Sequence, residues 1–133
     1  MKEILIVEDE PTLVTLVQEF VTKRMPNQAS QPELIHIASG EEAIRLLESR
    51  EALTFDGLMV GRYNPENDGL KIITLFRTRF PQAHIALFSG ENDKTYVDEA
   101  IRCGANVHIP KPVDLAKLQT FFLQILYKNA TTV

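Results

Sequence analysis

Charged and hydroxyl side chains stand at the ends of several short apolar runs in this chain. In chain order they are Glu8, Asp9, Glu10, Ser89 and Lys111. Carboxylate oxygens suit Mg²⁺, which usually takes only one or two of them and keeps several waters. A lysine ammonium is a compact charge for a phosphoryl oxygen, and a serine hydroxyl can donate a hydrogen bond to the same group. If the fold brings these residues together, they form a pocket for a phosphoryl group or a divalent cation.

Each of these residues has a plainer interpretation when it is taken alone. The acidic pair Glu8-Asp9 after an apolar run can be a solvated turn or a helix cap. Two other acids are interpreted similarly, because we expect Asp68 to cap a helix and Asp93 to lie near the positive end of another helix dipole. The chemistry therefore depends on the arrangement of the whole set.

Five apolar runs predict the strands that position the set, and they cover residues 4–7, 34–38, 58–60, 85–89 and 107–109. Most of them lack alternation between apolar and polar residues, which is typical of strands covered on both faces. Between the runs, apolar residues recur with helical period. The predicted helix stripes are Leu13, Val14, Val17, Phe20 and Val21; Ala43, Ile44 and Leu47; Ile72, Ile73, Phe76 and Phe80; Val97, Ala100 and Ile101; and Leu115, Leu118, Phe122, Ile125 and Leu126.

Cap signals agree with these elements. The segment Ser39-Gly40-Glu41-Glu42 is a capping box that opens the second helix, and Gly104 is suited to close the fourth. Strands that alternate with helices indicate a parallel sheet with right-handed crossovers and helices on both faces. In such sheets functional groups collect beyond the carboxyl ends of the strands, which is where the charged set stands.

Length and composition narrow the class of protein. A chain of 133 residues with 44% hydrophobic and 24% charged residues is typical of one globular domain, here residues 1–128 with a short tail at 129–133. The net charge of −4 argues against a nucleic-acid partner. No apolar stretch reaches 18 residues, so we expect no membrane partner. Cys103 is the only cysteine and the first ten residues do not resemble a signal peptide, which favours a cytoplasmic location.

Four segments together give the sequence a specific resemblance. ILIVEDE, NPENDG, LFSG and IPKPV make residues 2–127 resemble the receiver domain of bacterial two-component response regulators. The resemblance implies a flavodoxin-like, doubly wound sheet in the order 2-1-3-4-5, with five helices in a three-layer sandwich. It also implies that an aspartate ending strand 3 accepts a phosphoryl group from a histidine kinase, and that a Lys-Pro peptide is cis.

The resemblance assigns roles to individual residues. Glu8 and Asp9 match the acidic pair that holds Mg²⁺, Ser89 the switch hydroxyl, and Lys111 the lysine that contacts the acyl phosphate. Two positions depart from the pattern. His108 stands where an aromatic switch residue is usual. Gly61 stands where the phosphoacceptor aspartate should be, and a glycine cannot form an acyl phosphate.

The missing carboxylate changes the expected electrostatics of the pocket. Two unit charges about 4 Å apart interact by roughly 4 kcal/mol at an effective dielectric near 20, so losing one acid removes both repulsion and a metal ligand. We expect no cofactor, or at most a weakened Mg²⁺ site at Glu8 and Asp9. Lys111 is then expected to pair with Asp9 or Glu8. The glutamate is also long enough to reach the space beside Gly61.

These expectations predict an atypical single-domain response regulator that is not an enzyme. It would be a protein–protein interaction module for a histidine kinase or a downstream target, without aspartyl phosphorylation at the usual site. The predicted interaction face contains Tyr96, Val97, Ile101 and His108, with residues of the fifth helix. The short segment after Tyr127 favours a stand-alone receiver.

Two alternatives stay open. In one, the receiver is triggered by another acid or by non-covalent phosphate or Mg²⁺, since Asp9, Ser89 and Lys111 are retained. In the other, the chain is a Mg²⁺-dependent phosphatase that uses Asp9 as nucleophile. Such phosphatases typically show Asp-x-Asp after the first strand, whereas this chain has Glu8-Asp9-Glu10.

Overall fold

Strands and helices alternate along the whole described chain. The computed structural model describes residues 2–25, 31–61, 67–90 and 93–127, with the side chains of residues 67 and 68 excepted. The elements are β1 (Glu3–Val7), α1 (Pro11–Arg24), β2 (Glu33–Ile37), α2 (Gly40–Glu48), β3 (Gly57–Gly61), α3 (Asn67–Arg79), β4 (His84–Gly90), α4 (Lys94–Cys103), β5 (Val107–Lys111) and α5 (Leu115–Leu126).

The five strands form one parallel sheet in the order β2-β1-β3-β4-β5. This confirms the predicted doubly wound α/β fold and its strand order. All five residues of β3 are buried, as expected for a central strand covered on both faces. Because β1 and β3 are neighbours, the groups that follow them meet at one edge of the sheet.

Side chains that alternate along the strands build a separate core on each face of the sheet. Leu5 and Leu58 point into a core completed by α2, α3 and α4. Ile6 and Met59 point into the opposite core, which α1 and α5 complete. These two cores make the three-layer sandwich, so the site at the sheet edge rests on strands held from both sides.

The predicted helix stripes are mostly the buried ones, with two exceptions. In α5, Leu115 is 43% exposed, whereas Phe121, outside the predicted stripe, is buried against Phe122 with a ring separation of 5.7 Å. In α4, Ile101 is 49% exposed. The buried face of α4 contains Tyr96 and Ala100. Ile101 follows Ala100 and is therefore turned away from that face.

Most of the local signals are confirmed. The Ser39 side chain accepts a hydrogen bond from the Glu42 amide at 3.2 Å, Gly104 ends α4 with a φ of 126°, and the Lys111-Pro112 peptide is cis. Asp68 was expected to cap α3 from just before the helix. That prediction is wrong, because α3 begins at Asn67 and Asp68 lies within its first turn. Within the described residues, no helix is long and apolar enough to cross a membrane.

Candidate functional site

The strand register brings the predicted pocket residues to the same edge of the sheet. Val7 pairs with Val60, so Glu8 follows β1 beside the end of β3 at Gly61. Gly61 pairs with Phe88, and Gly90 pairs with Lys111 across β4 and β5. Among the described residues, Glu8 and Ser89 are the buried polar ones, and each is 3% exposed. The pocket is therefore built from the ends of four neighbouring strands.

The side chain of Glu8 lies directly against Gly61. A Cβ atom added to Gly61 would lie 2.5 Å from Glu8 Oε1 and 3.2 Å from its carboxyl carbon. Real Cβ atoms essentially never approach another heavy atom as closely as the first of these distances. The carboxylate thus occupies the space that any side chain at position 61 would need first, in agreement with the expected reach of the glutamate.

Only one oxygen of this buried carboxylate has a hydrogen-bond partner among the described residues. Oε2 accepts a bond from the Glu10 amide at 3.2 Å, whereas Oε1 has no such partner. The Lys111 ammonium lies 3.9 Å from Oε1. Burial raises the pKa of the Glu8 carboxyl above its ordinary value, and the charge of Lys111 opposes that rise.

Lys111 is shared between two carboxylates. Its Nζ lies 3.9 Å from Glu8 Oε1 and 3.4 Å from Glu10 Oε2, and its side chain is 35% exposed. Lys111 was expected to pair with Glu8 or Asp9, and the structure has the former pair, while Asp9 is exposed and makes no ion pair with Lys111. The pairing of Glu10 was not predicted. Its signal in the sequence was its position in the same acidic run.

Ser89 and His108 are joined by a hydrogen bond between adjacent strands. The distance from Ser89 Oγ to His108 Nε2 is 2.9 Å, and Nε2 also lies 3.2 Å from the Ser89 carbonyl oxygen. The imidazole of β5 is therefore turned toward β4. On the same residue, the carbonyl oxygen of His108 accepts a bond from Lys117 Nζ of α5 at 3.5 Å.

One member of the predicted interaction face is misplaced. Tyr96 is only 6% exposed, because α4 turns it into the core, and a Cβ added to Gly69 would collide with its hydroxyl. Tyr96 therefore does not belong to an exposed surface. The other members are accessible to different degrees: Val97 and His108 are half-buried, and Ile101 is exposed.

The described residues do not fit a magnesium site of the expected kind. They contain no group of three His, Cys, Asp or Glu side chains arranged to hold a metal ion. Glu8 Oε1 points into the space at Gly61, Asp9 faces solvent, and a lysine ammonium stands beside the buried carboxylate. A dication in this space would be repelled by the Lys111 ammonium, which lies 3.9 Å from Glu8 Oε1.

Comparison with known proteins identifies the family. The family model described as the response regulator receiver domain matches residues 4–122 of this chain. The chain belongs to this receiver family. Receiver domains act in two-component signalling, where they interact with histidine kinases and downstream effectors, and they commonly bind Mg²⁺.

The chain is similar to a curated protein over about two thirds of the chain's own length. It is 30% identical over 92 residues to the transcriptional regulatory protein CitT of Bacillus subtilis (strain 168). The match covers 69% of this chain and 39% of CitT. The chain thus spans about two fifths of the length of this relative.

Solved receiver structures show the same fold at low sequence identity. A receiver domain protein of Clostridium thermocellum aligns over 100% of both chains with a TM-score of 0.76 and 17% identity. The receiver domain of the sensor histidine kinase PA1611 of Pseudomonas aeruginosa PAO1 aligns over 94% of this chain and 97% of its own, with a TM-score of 0.70 and 21% identity. That structure has a magnesium ion coordinated in its active-site cleft.

Proposed function

We propose that this receiver signals by binding other proteins and accepts no phosphoryl group at the end of β3. The observation that carries the proposal is the contact of Glu8 with Gly61, at the strand end where the family's acceptor aspartate is expected. The position has no side chain that could form an acyl phosphate. The adjacent space holds a carboxylate from β1 instead.

The described acids that could substitute for the acceptor do not stand at the end of β3. Asp56 precedes β3 at the opposite end of the strand, where its Oδ2 accepts a bond from the Glu3 amide at 2.9 Å. Asp9 and Glu10 are exposed residues that follow β1. The side chain of Asp68 lies outside the described residues. These positions support a receiver that is not phosphorylated at the usual site, and the run Glu8-Asp9-Glu10 in place of Asp-x-Asp supports a chain that is not a phosphatase using Asp9.

The proposed interaction face surrounds the edge strand β5. Because α4 and α5 cover opposite faces of the sheet, they flank β5 on its two sides. We assign to this face the large apolar residues of the described chain that are exposed on α4, on α5 and just after α5, from 37% to 49%: Ile101, Leu115, Leu123 and Tyr127. We also assign Val97 of α4 and His108 of β5 to this face, and both are half-buried. A histidine kinase or a downstream target in the cytoplasm would bind here.

Intact mass spectrometry tests the proposal directly. The protein is incubated with Mg²⁺ and a small phosphodonor such as acetyl phosphate, beside a receiver domain that retains its aspartate. We expect an adduct of about 80 Da, one phosphoryl group, on the reference receiver and none on this chain. A stable adduct on this chain would overturn the proposal, and peptide mapping would then identify the acceptor.

A further inference from the structure

We propose that Glu8 is an internal replacement for the side chain that position 61 lacks. Its carboxylate fills the space beside Gly61 and is the buried anionic partner of Lys111, so that the pocket is closed to phosphate and divalent cations from solution. This inference rests on the proposed function, because it concerns a pocket without an acceptor aspartate. The inference adds that a side chain of the protein itself occupies the pocket, so that the pocket is closed as soon as the chain has folded.

The backbone at position 61 does not require a glycine. Among the described glycines, Gly104 is the one with a positive φ, so the conformation of Gly61 is open to any L residue. The constraint is the position of the Glu8 carboxylate, since the first atom of any side chain would meet its Oε1 at 2.5 Å and the end of that flexible side chain would have to move. Glycine at 61 and an inward glutamate at 8 are therefore complementary choices.

The charge of Glu8 has a defined partner inside the pocket. A buried carboxylate is unfavourable unless it is paired or hydrogen bonded. Glu8 is 3% exposed, its Oε2 is bonded to the Glu10 amide, and its Oε1 faces the Lys111 ammonium at 3.9 Å. The pair places a negative group where an anionic phosphate would approach Lys111. An incoming phosphate would be repelled by Glu8 and would have to displace it.

The length of the side chain explains why a glutamate suits this role. Aspartate is one methylene shorter and would not extend as far from the end of β1 toward β3. Asp9 beside it is exposed, and Glu10, also exposed, pairs with Lys111 at 3.4 Å. The three heavy atoms nearest to a Cβ at position 61 all belong to Glu8.

A double-mutant cycle between positions 8 and 61 tests the shared space. We expect Gly61→Ala to lower Tm by about 2–5 °C, because the new methyl group forces the flexible end of Glu8 away from its place beside Lys111. In a Glu8→Ala background the same substitution should leave Tm unchanged or raise it. If Gly61→Ala has the same effect in both backgrounds, the two residues do not compete for space and the inference is wrong.

Gly57 at the start of the same strand is a matched control. A Cβ there would also meet a neighbour at 2.5 Å, but that neighbour is Ile125 Cδ1. Gly57→Ala should lower Tm equally with and without Glu8, to within about 1–2 °C. If Glu8→Ala also relieved Gly57→Ala, the effect at Gly61 would be a general loosening of the fold, which would contradict the inference.

Binding of inorganic phosphate tests whether Glu8 closes the pocket. The probe is titrated into the wild type, the isosteric Glu8→Gln variant and a Glu8→Gln, Lys111→Met double variant, with the backbone amide signal of Gly61 followed by NMR. We expect a saturating shift in Glu8→Gln at lower phosphate concentration than in the wild type, and loss of that shift in the double variant. An equal response of wild type and Glu8→Gln would overturn the inference.

Failure of the inference can be distinguished from failure of the proposed function. If the substitutions at positions 8 and 61 act independently and the wild type gains no phosphoryl adduct, only the internal replacement is rejected. An adduct on the wild type would reject the proposed function, whatever the outcome of the double-mutant cycle.

Discussion

The Nε2 atom of His108 on β5 lies 2.9 Å from the hydroxyl oxygen of Ser89 on β4. Ser89 is 3% exposed, and the next residue, Gly90, pairs with Lys111. The hydrogen bond thus joins β4 and β5 close to the lysine of the pocket, since Ser89 directly precedes the partner of Lys111. The two positions to which the family resemblance assigns the switch are therefore hydrogen bonded to each other.

Replacing Ser89 by alanine should therefore act on His108. We expect Ser89→Ala to lower the free energy of unfolding by about 0.5–1.5 kcal/mol, because a buried hydrogen bond is lost. The ring ¹⁵N signals of His108 should shift as well. Thr120→Ala is the control, since its hydroxyl bonds only the Ala116 carbonyl on the exposed side of α5. An unchanged His108 spectrum in Ser89→Ala would show that the two side chains are not bonded in solution.

The raised pKa of Glu8 predicts how stability varies with pH. A carboxyl whose pKa is higher in the folded protein holds its proton there at pH values where the unfolded chain has lost it. The folded state then binds more protons, so the free energy of unfolding should fall as pH rises from 4.5, the ordinary value, through the raised value. Glu8→Gln should remove this part of the fall.

Urea unfolding at a series of pH values measures this effect. Glu48→Gln, which changes an exposed glutamate on α2, serves as the control and should leave the profile of the wild type unchanged. If Glu8→Gln and the wild type show parallel profiles over this range, Glu8 does not carry a raised pKa in the folded protein.

The two carboxylates that share Lys111 should differ in their contribution to stability. Removing the cation with Lys111→Met leaves Glu8 as a buried charge without a partner, and we expect a loss of about 1–3 kcal/mol, because the partly exposed lysine weakens the effect. Glu10→Gln breaks only the exposed pair and should cost less than about 1 kcal/mol. Chemical denaturation of both variants measures the difference. If Lys111→Met and Glu10→Gln lose equal stability, burial of Glu8 does not strengthen its ion pair with Lys111.

Much of the site is predictable because strand ends are readable in the sequence. Unbroken apolar runs predict buried parallel strands, and a parallel sheet places the residues that follow its strands at one edge. That reasoning is enough to bring Glu8, Gly61, Ser89 and Lys111 together before any side chain is placed. The cis Lys111-Pro112 peptide is a different case. Only the family resemblance predicts it, because no local pattern in the sequence requires it.

The details that sequence reasoning misses depend on side-chain direction. Tyr96 looks like a surface residue of α4, but the helix phase that buries Ala100 also buries it, and Ile101 turns outward instead. The adjacent pair Phe121 and Phe122 is buried together, which a single stripe does not anticipate. Glu10 reaches Lys111 because of the local course of the chain after β1. The first two outcomes depend on the exact phase of a helix and the third on the path of a loop, and the apolar pattern of the sequence fixes neither.

Restoring an aspartate at position 61 should require a second change at position 8. In Gly61→Asp alone, the new side chain meets Glu8 Oε1, and two carboxylates about 4 Å apart repel by roughly 4 kcal/mol at an effective dielectric near 20. We therefore expect little or no phosphorylation of this variant. Shortening the neighbour in the Glu8→Asp, Gly61→Asp double variant frees the space and leaves an acidic pair of ordinary length beside Lys111.

With Mg²⁺ and a small phosphodonor, the double variant should gain an adduct of about 80 Da by intact mass spectrometry. The Glu8→Asp, Gly61→Asn variant is the matched control, because an amide of the same shape cannot form an acyl phosphate. Phosphorylation of the double variant above the level of Gly61→Asp would mean that Glu8 hinders the restored acceptor. A folded double variant without an adduct would show instead that Asp9, Ser89 and Lys111 no longer form a competent pocket, since the acceptor and the space would both be present.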